Sequence, residues 1–249
     1  MEVTNLGIVT ENGNSTLYLP SSRGRSMFAV EASAVKSVAT MEFNNPSTLS
    51  TPDHNAKLVI ITYPSFARDA ARWASYRQGQ GISTEVVDVR DIYDEFSYGQ
   101  PSSLSIKSFL QYAANNWATP PQYVLLLGDA SYDCKNYEGL GYTNLVPTKI
   151  VNTVYLETGS DDALADFDGD GLAELSIGRI PARTTQDVSN ALAKVQAFEQ
   201  PAMQDLSRGA IFAYDLPNGY DFQGMSATLR NNLPGSMPAT VTAPAAGTR

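Results

Sequence analysis

One cysteine and one histidine are all that this 249-residue chain holds of the two residue types. A lone thiol, Cys134, excludes an internal disulfide, and a chain this long can bury its core without one. Positive charge is also scarce. Lys and Arg number 17 against 26 Asp and Glu, for a formal charge of −9 and a sequence pI near 4.6. That balance excludes nucleic acid as an expected partner, because phosphates call for a basic surface, and it disfavours anionic membranes. No apolar run approaches the roughly 20 residues that span a bilayer, so no membrane span is expected. The opening stretch, MEVTNLGIVTENGNSTLYLP, lacks the basic n-region and apolar h-region of a signal peptide. Two readings follow: a cytosolic protein, or a piece of a longer exported precursor. Also missing are a G-x-S-x-G elbow, a P-loop, an H-E-x-x-H pair and a G-x-G-x-x-G turn.

What is present is globular: hydrophobic residues make up 43% and aromatics 10%, too much apolar surface for a disordered chain. Residues 1–55 are rich in Ser, Thr, Asn and Pro, with β-prone pieces STLYLP and MFAVEA, and read as a β-rich N-terminal segment or edge hairpin. NNPSTLSTPDHN, Asn44 to Asn55, reads as a linker. From Lys57 the pattern changes. KLVIIT, STEVVDV, QYVLLLGD, ELSIGRI and GAIFAYD read as strands, KLVIIT and ELSIGRI of the buried type. Between them fall helical stripes: Phe66, Ala70, Trp73 and Ala74, with Ser65 as cap; Ile106, Phe109, Leu110, Ala113 and Trp117, capped by Ser102 or Ser103; and Val188, Ala191, Leu192, Val195 and Phe198, opened by a Thr184–Asp187 capping box. A short helix follows in DFQGMSATLRNNLP, and the tail from Pro234 has no periodicity. Alternating strands and helices predict an α/β fold with a mostly parallel sheet covered on both faces.

SDDALADFDGDGLAELSIGRIP sets a dense run of carboxylates directly before a strand. Asp166, Asp168 and Asp170 stand at positions 1, 3 and 5 of D-x-D-x-D-G, with Gly171 at position 6, as in the first half of an EF-hand loop. Position 12 is Ile177, so the closing bidentate glutamate is missing. Glu174, Asp161 and Asp162 are the further candidate ligands. Clustered carboxylates repel one another, which favours a bound Ca2+. The other reading is a solvated acidic turn.

Cys134 follows the third strand of the parallel sheet, at the carboxyl edge where functional groups gather. His54 precedes the first strand, at the amino edge. A six-residue strand spans about 20 Å, and proton transfer needs contact at about 3 Å. The two are therefore not expected to form a catalytic pair. Asp88 and Asp129 follow apolar strands, as in phospho-receiver domains, but no lysine on the last strand completes such a site. Asp129 reads as a loop tie.

KLVIITYPSF, GISTEVVDVRDIYDEFSYGQPSSLSIKSFLQYAANNW, PQYVLLLGDASYD, NLVPT, SDDALADFDGDGLAELSIGRIPART and NALAKVQAFE, taken together and in order, resemble the gingipain-type cysteine peptidases over about residues 57–232. The resemblance implies a caspase-like three-layer sandwich: 1–55 as the N-terminal segment, 56–200 as a first subdomain, and 201–249 as the opening of a second. It implies structural calcium, export to the cell surface or beyond, and peptide or protein substrates. It places the catalytic histidine in a G-H-G motif and the cysteine later still, beyond the matched region. The expectation is a portion of a secreted endopeptidase that is inactive alone and needs the second half of the catalytic domain. The alternative is a non-catalytic, calcium-stabilised interaction module of the same fold. A G-H-G and a later cysteine after Arg249 in the parent gene would favour the enzyme. By the same resemblance Asp221 falls at the floor of an S1 pocket for Arg or Lys; as a bare sequence feature it reads as a helix N-cap. A cut sheet edge is expected to promote association unless Val241 and its neighbours fold back over it.

Overall fold

The computed structural model describes residues 7–18, 43–200, 209–214 and 219–242, with single positions 33, 35, 37 and 41. MFAVEA and Asp215 lie outside the described residues. The chain divides into two compact units, Met1–Asn45 and Pro46–Arg249. In the first, β1 (Gly7–Glu11) and β2 (Asn14–Tyr18) pair antiparallel, Gly7 opposite Tyr18. Asn12 and Gly13, at φ 52° and 80°, make the two-residue left-handed turn that suits the twist of a hairpin.

The second unit is built on β3 (Leu58–Thr62), β4 (Thr84–Asp88), β5 (Tyr123–Leu127) and β8 (Ser176–Ile180), all parallel in the order β4-β3-β5-β8. Side chains alternate across the sheet because successive Cβ atoms point to opposite faces. Val59, Ile61, Val124 and Leu126 meet Ile92 of α2 (Val89–Ser97), Phe109 of α3 (Ser103–Asn116) and Leu164 of α4 (Asp162–Ala165). Leu58, Ile60 and Leu127 meet Trp73 of α1 (Ala67–Gly79) and Val188 of α5 (Thr185–Phe198). Helices on both faces make three layers, as the caspase-like reading requires. β3 lies centrally, and every residue of it is buried. That is why LVIIT is apolar without alternation.

Several local readings shift. Ser65 does not cap α1: it lies inside a 3-10 turn, Pro64–Phe66, and the α1 N-terminus has no side-chain cap. Pro64, its φ preset for a helical turn, starts the coil before Ser65 can close it. Ser102, not Ser103, caps α3, accepting from the Leu104 amide at 3.1 Å. The Thr184–Asp187 capping box forms in both directions, with Asp187 N to Thr184 Oγ1 at 3.2 Å and Thr184 N to Asp187 Oδ2 at 2.9 Å. The second strand stops at Asp88, whose carboxylate caps α2 through the Arg90 amide. Phe198, the last residue of the α5 stripe, is exposed. The sequence reading contained neither α2 nor the hairpin of β6 (Lys149–Asn152) and β7 (Glu157–Ser160).

From Pro46 onward the supposed linker belongs to the second unit. Leu49 is buried, its amide and that of Ser50 donate to Glu95 on α2 at 2.7 and 2.8 Å, and its carbonyl accepts from Trp117 Nε1 at 3.0 Å. Ser47 also donates to Glu95, and Tyr112 donates to the Ser50 carbonyl. A Ser- and Thr-rich stretch hid one apolar anchor. Burial alone would raise the Glu95 carboxyl, but the donors from Ser47, Ser50 and Leu49 outweigh it and hold it below its ordinary value of 4.5. A depressed folded value means that the stabilisation is present above the unfolded value and is lost as acid titrates the folded group. Urea melts should therefore show Glu95→Gln less stable than the parent at pH 7, by about 1–2 kcal/mol, with the gap shrinking as pH falls below about 4. A gap that stays constant with pH would refute the assignment.

Beyond α5, β9 (Ala210–Ala213) and β10 (Ala239–Thr242) pair in parallel, joined by the crossover helix α6 (Phe222–Asn231). Among the described residues this pair is a sheet of its own. The tail read as aperiodic thus supplies a strand, and Val241 sits opposite Phe212 of β9.

Candidate functional site

The acidic loop joins α4 to the amino-terminal end of β8. Asp166, Asp168, Asp170 and Glu174 each bring a carboxylate oxygen to within 4.8 Å of the others. The backbone shapes the cluster. Gly169 and Gly171, at φ 84° and 91°, take the left-handed turns that a side chain would resist. Their amides donate to the two oxygens of Asp166 at 2.6 and 3.2 Å. Asp168 accepts from Asp170 N at 3.1 Å, Asp170 from Leu172 N at 2.8 Å, and Glu174 from Phe167 N at 2.5 Å. An all-carboxylate donor set suits a hard divalent cation, so the residues present fit the expected metal. Buried Leu175 and half-buried Phe167 anchor the loop in the core. The cluster stands at the amino edge of the sheet, away from the carboxyl edge where chemistry gathers in such folds.

Asp161 and Asp162, also read as candidate ligands, fall outside this group of four. Asp162 opens α4 and is exposed. Asp161 faces Arg179 of β8 with both oxygens, at 2.7 and 2.8 Å. Burial would raise its carboxyl, but the Arg179 hydrogen bonds and charge hold it below the ordinary carboxylate range. Arg179, to which the sequence reading gave no role, is the partner that takes Asp161. The signal was a charged residue inside an apolar strand, in I-G-R-I, which has to be paired if buried.

At the carboxyl edge, Asp129 ties its loop as expected. It accepts from Ala130 N at 3.0 Å and from Arg183 Nε at 2.6 Å, while its carbonyl takes the Leu145 and Val146 amides. Cys134 is exposed in the following turn. His54 lies at the other end of the parallel strands. Its ring stacks on Trp117 at 4.5 Å, with Nδ1 2.8 Å from Glu85 and Nε2 2.8 Å from the Thr48 carbonyl. Both nitrogens are engaged, so the ring has no free position to act as a base.

Asp221 caps α6, accepting from Gly224 N at 2.8 Å. A Cβ on Gly224 would sit 2.1 Å from Asp221 Oδ2. Gly224→Ala would turn that carboxylate out of the cap but gains about 1 kcal/mol of helix propensity in return, so Asp221→Ala, which loses the cap alone, is the test: it should cost about 1 kcal/mol, read as a lower melting temperature. An unchanged melt would show the cap to be dispensable.

A parallel sheet between two helical layers, with a carboxylate cluster at its amino edge, is the arrangement of a caspase-like fold. The chain belongs to peptidase family C25, whose model matches residues 51–243. It is similar in structure to dimeric latent PorU from Porphyromonas gingivalis, with a TM-score of 0.50, 20% identity, and coverage of 71% of this chain and 20% of that one. A second solved protease gives a TM-score of 0.53 at 17% identity, covering 77% of this chain and 41% of that one. At such identities the likeness is one of fold. The chain spans a fifth and about two fifths of those two structures' own lengths. No curated protein matches it.

Proposed function

We propose that the chain is the first caspase-like subdomain and the opening of the second in an exported gingipain-like cysteine endopeptidase, and that the catalytic histidine and cysteine come from elsewhere in the complete protein. The observation that carries this reading is the state of the only imidazole and the only thiol. A thiolate nucleophile needs a base within hydrogen-bond reach. His54 is spent at the amino edge, and Cys134 lies exposed beyond the carboxyl edge. The Asp129 and Cys134 loops then flank the cleft without attacking the substrate, which is a peptide or protein segment. Family membership supports the reaction class and a location at the cell surface or beyond. No helix among the described residues is long and apolar enough to cross a membrane.

The purified chain is expected to release no fluorophore from peptide substrates, whereas the complete protein does so until its thiol is alkylated. Hydrolysis by the chain alone that alkylation abolishes would overturn the reading. A complete protein that is inert yet folded would favour the interaction module instead.

Calcium is the ion we assign to the acidic loop, in a stabilising role, because the donors are all carboxylates and stand away from the carboxyl edge. Calcium at 100 times its dissociation constant should stabilise the fold by about 2.7 kcal/mol. Calorimetry without heat, and no rise in melting temperature at millimolar calcium, would remove this assignment. We also assign Asp221 to recognition of a basic P1 side chain in the complete enzyme, where its carboxylate would make charge-assisted hydrogen bonds. Asp221→Asn should then lower cleavage after Arg by roughly 10–100-fold. An intact preference would return Asp221 to capping alone.

A further inference from the structure

Arg179 has five N–H donors, the full complement of a guanidinium, and the fold gives it five acceptor contacts. Nε and Nη2 grip Asp161 at 2.7 and 2.8 Å. Nη1 reaches the Gly128 and Val146 carbonyls at 2.6 and 2.7 Å, and Nη2 makes a long 3.5 Å contact to Pro147. The side chains of Arg179 and Asp161 are only 11% and 23% exposed, so little water competes for them.

The pair closes a loop in the chain. From Asp161 the backbone runs through the single turn of α4 to Asp166, rounds the carboxylate cluster, enters β8 and returns to Arg179. Little slack lies between the closure and the first ligand. Leu164 and Ala165 are fully buried, Lys107 donates to the Asp166 carbonyl, and Glu174 N bonds the Ala165 carbonyl at 2.9 Å. On its far side Arg179 holds the segments that form the carboxyl-edge rim. Gly128, at φ 151°, leaves so little room that a Cβ there would stand 2.9 Å from Val146 Cγ2. Gly128 and Val146 thus approach each other closely at the rim.

The geometry points to Asp161–Arg179 as a positioning clasp: it pre-closes the cation loop at the amino edge and ties it to the Gly128, Val146 and Pro147 carbonyls at the carboxyl edge, so that cation binding and rim order are coupled. This rests on the cation reading above and gives Asp161 a role other than ligand. A pre-closed loop loses less entropy on binding. Coupling is reciprocal, so a cation that favours the closed loop also favours the ordered rim.

The test is peptide-resolved hydrogen exchange on the 249-residue chain, with calcium chloride as the probe and calorimetry alongside. Calcium is expected to slow exchange in residues 166–174 and, by about threefold or more, in residues 128–147. In Asp161→Asn, calcium still slows exchange in 166–174, with affinity about 5-fold lower at the weak end of ordinary coupling, but 128–147 no longer responds. Arg179→Lys, which keeps a charge but loses the fork, should behave alike. Asp168→Asn, with the clasp intact, should leave 128–147 at its calcium-free rate. Protection of 166–174 without 128–147 in the parent chain would overturn the coupling and leave the cation reading standing. An equal response of 128–147 in Asp161→Asn and the parent would overturn it too. No heat and no protection anywhere would sink the cation reading, and the coupling with it. The parent arm decides even where a variant fails to fold.

Discussion

Arg179→Met is expected to lower the stability of the second unit by about 3–5 kcal/mol, the range for removing one partner of a buried ion pair. The loss comes less from the missing attraction than from what stays behind. Asp161 would keep its charge in a site only 23% exposed, and the Gly128 and Val146 carbonyls would lose their donor. At 2–4 °C per kcal/mol for a unit of this size, the melting temperature should fall by roughly 6–20 °C. Asp161→Asn, which keeps hydrogen-bonding capacity while removing the charge, should cost less. The combination of Asp161→Leu with Arg179→Met separates the causes. Removing both charges leaves only neutral groups unpaired, the carbonyls and the Thr148 hydroxyl that bonds Asp161, so the double variant should be more stable than Arg179→Met alone. Denaturant melts giving Arg179→Met within 1 kcal/mol of the parent would show that water already satisfies these groups.

Phe109→Ala should cost a similar 3–5 kcal/mol, by a different route. Phe109 is fully buried and sits edge-on between Phe96 at 5.7 Å and Trp117 at 5.6 Å, joining α2 to the end of α3. Trp117 in turn supports His54 and the Leu49 carbonyl, so the cavity would open beneath the segment that begins at Pro46. Exchange in residues 46–55 should rise before the unit melts. A variant that loses stability with residues 46–55 still protected would confine the damage to α3.

Asp129 joins these features to the proposed cleft. Its pairing with Arg183 spans the ends of β5 and β8 at 2.6 Å, close to the Arg179 contacts on Gly128. The carboxyl edge is thus braced by two arginines from one strand and the turn after it.

The features that the sequence determined by itself are those written within one or two helical turns. β3 was legible because a strand covered on both faces must be apolar throughout, and α3 because its buried positions recur every three or four residues. The acidic loop was legible because its four clustered carboxylates lie within nine residues, with glycines where the backbone turns left-handed. Other features needed the tertiary structure. α2 escaped notice because it starts at the residue after β4, with Asp88 ending one element and capping the next. The segment from Pro46 looked like a linker because its partners, Glu95 and Trp117, lie 46 and 68 residues away. The pairing of Asp161 was not legible among its neighbouring acids: β8 brings Arg179 to it across 18 residues and sets that arginine against carbonyls 33 and 51 residues distant. Periodicity and turn chemistry are local and leave a mark on adjacent residues, whereas the partner of a buried charge is chosen by which strands lie side by side, and only the folded sheet decides that.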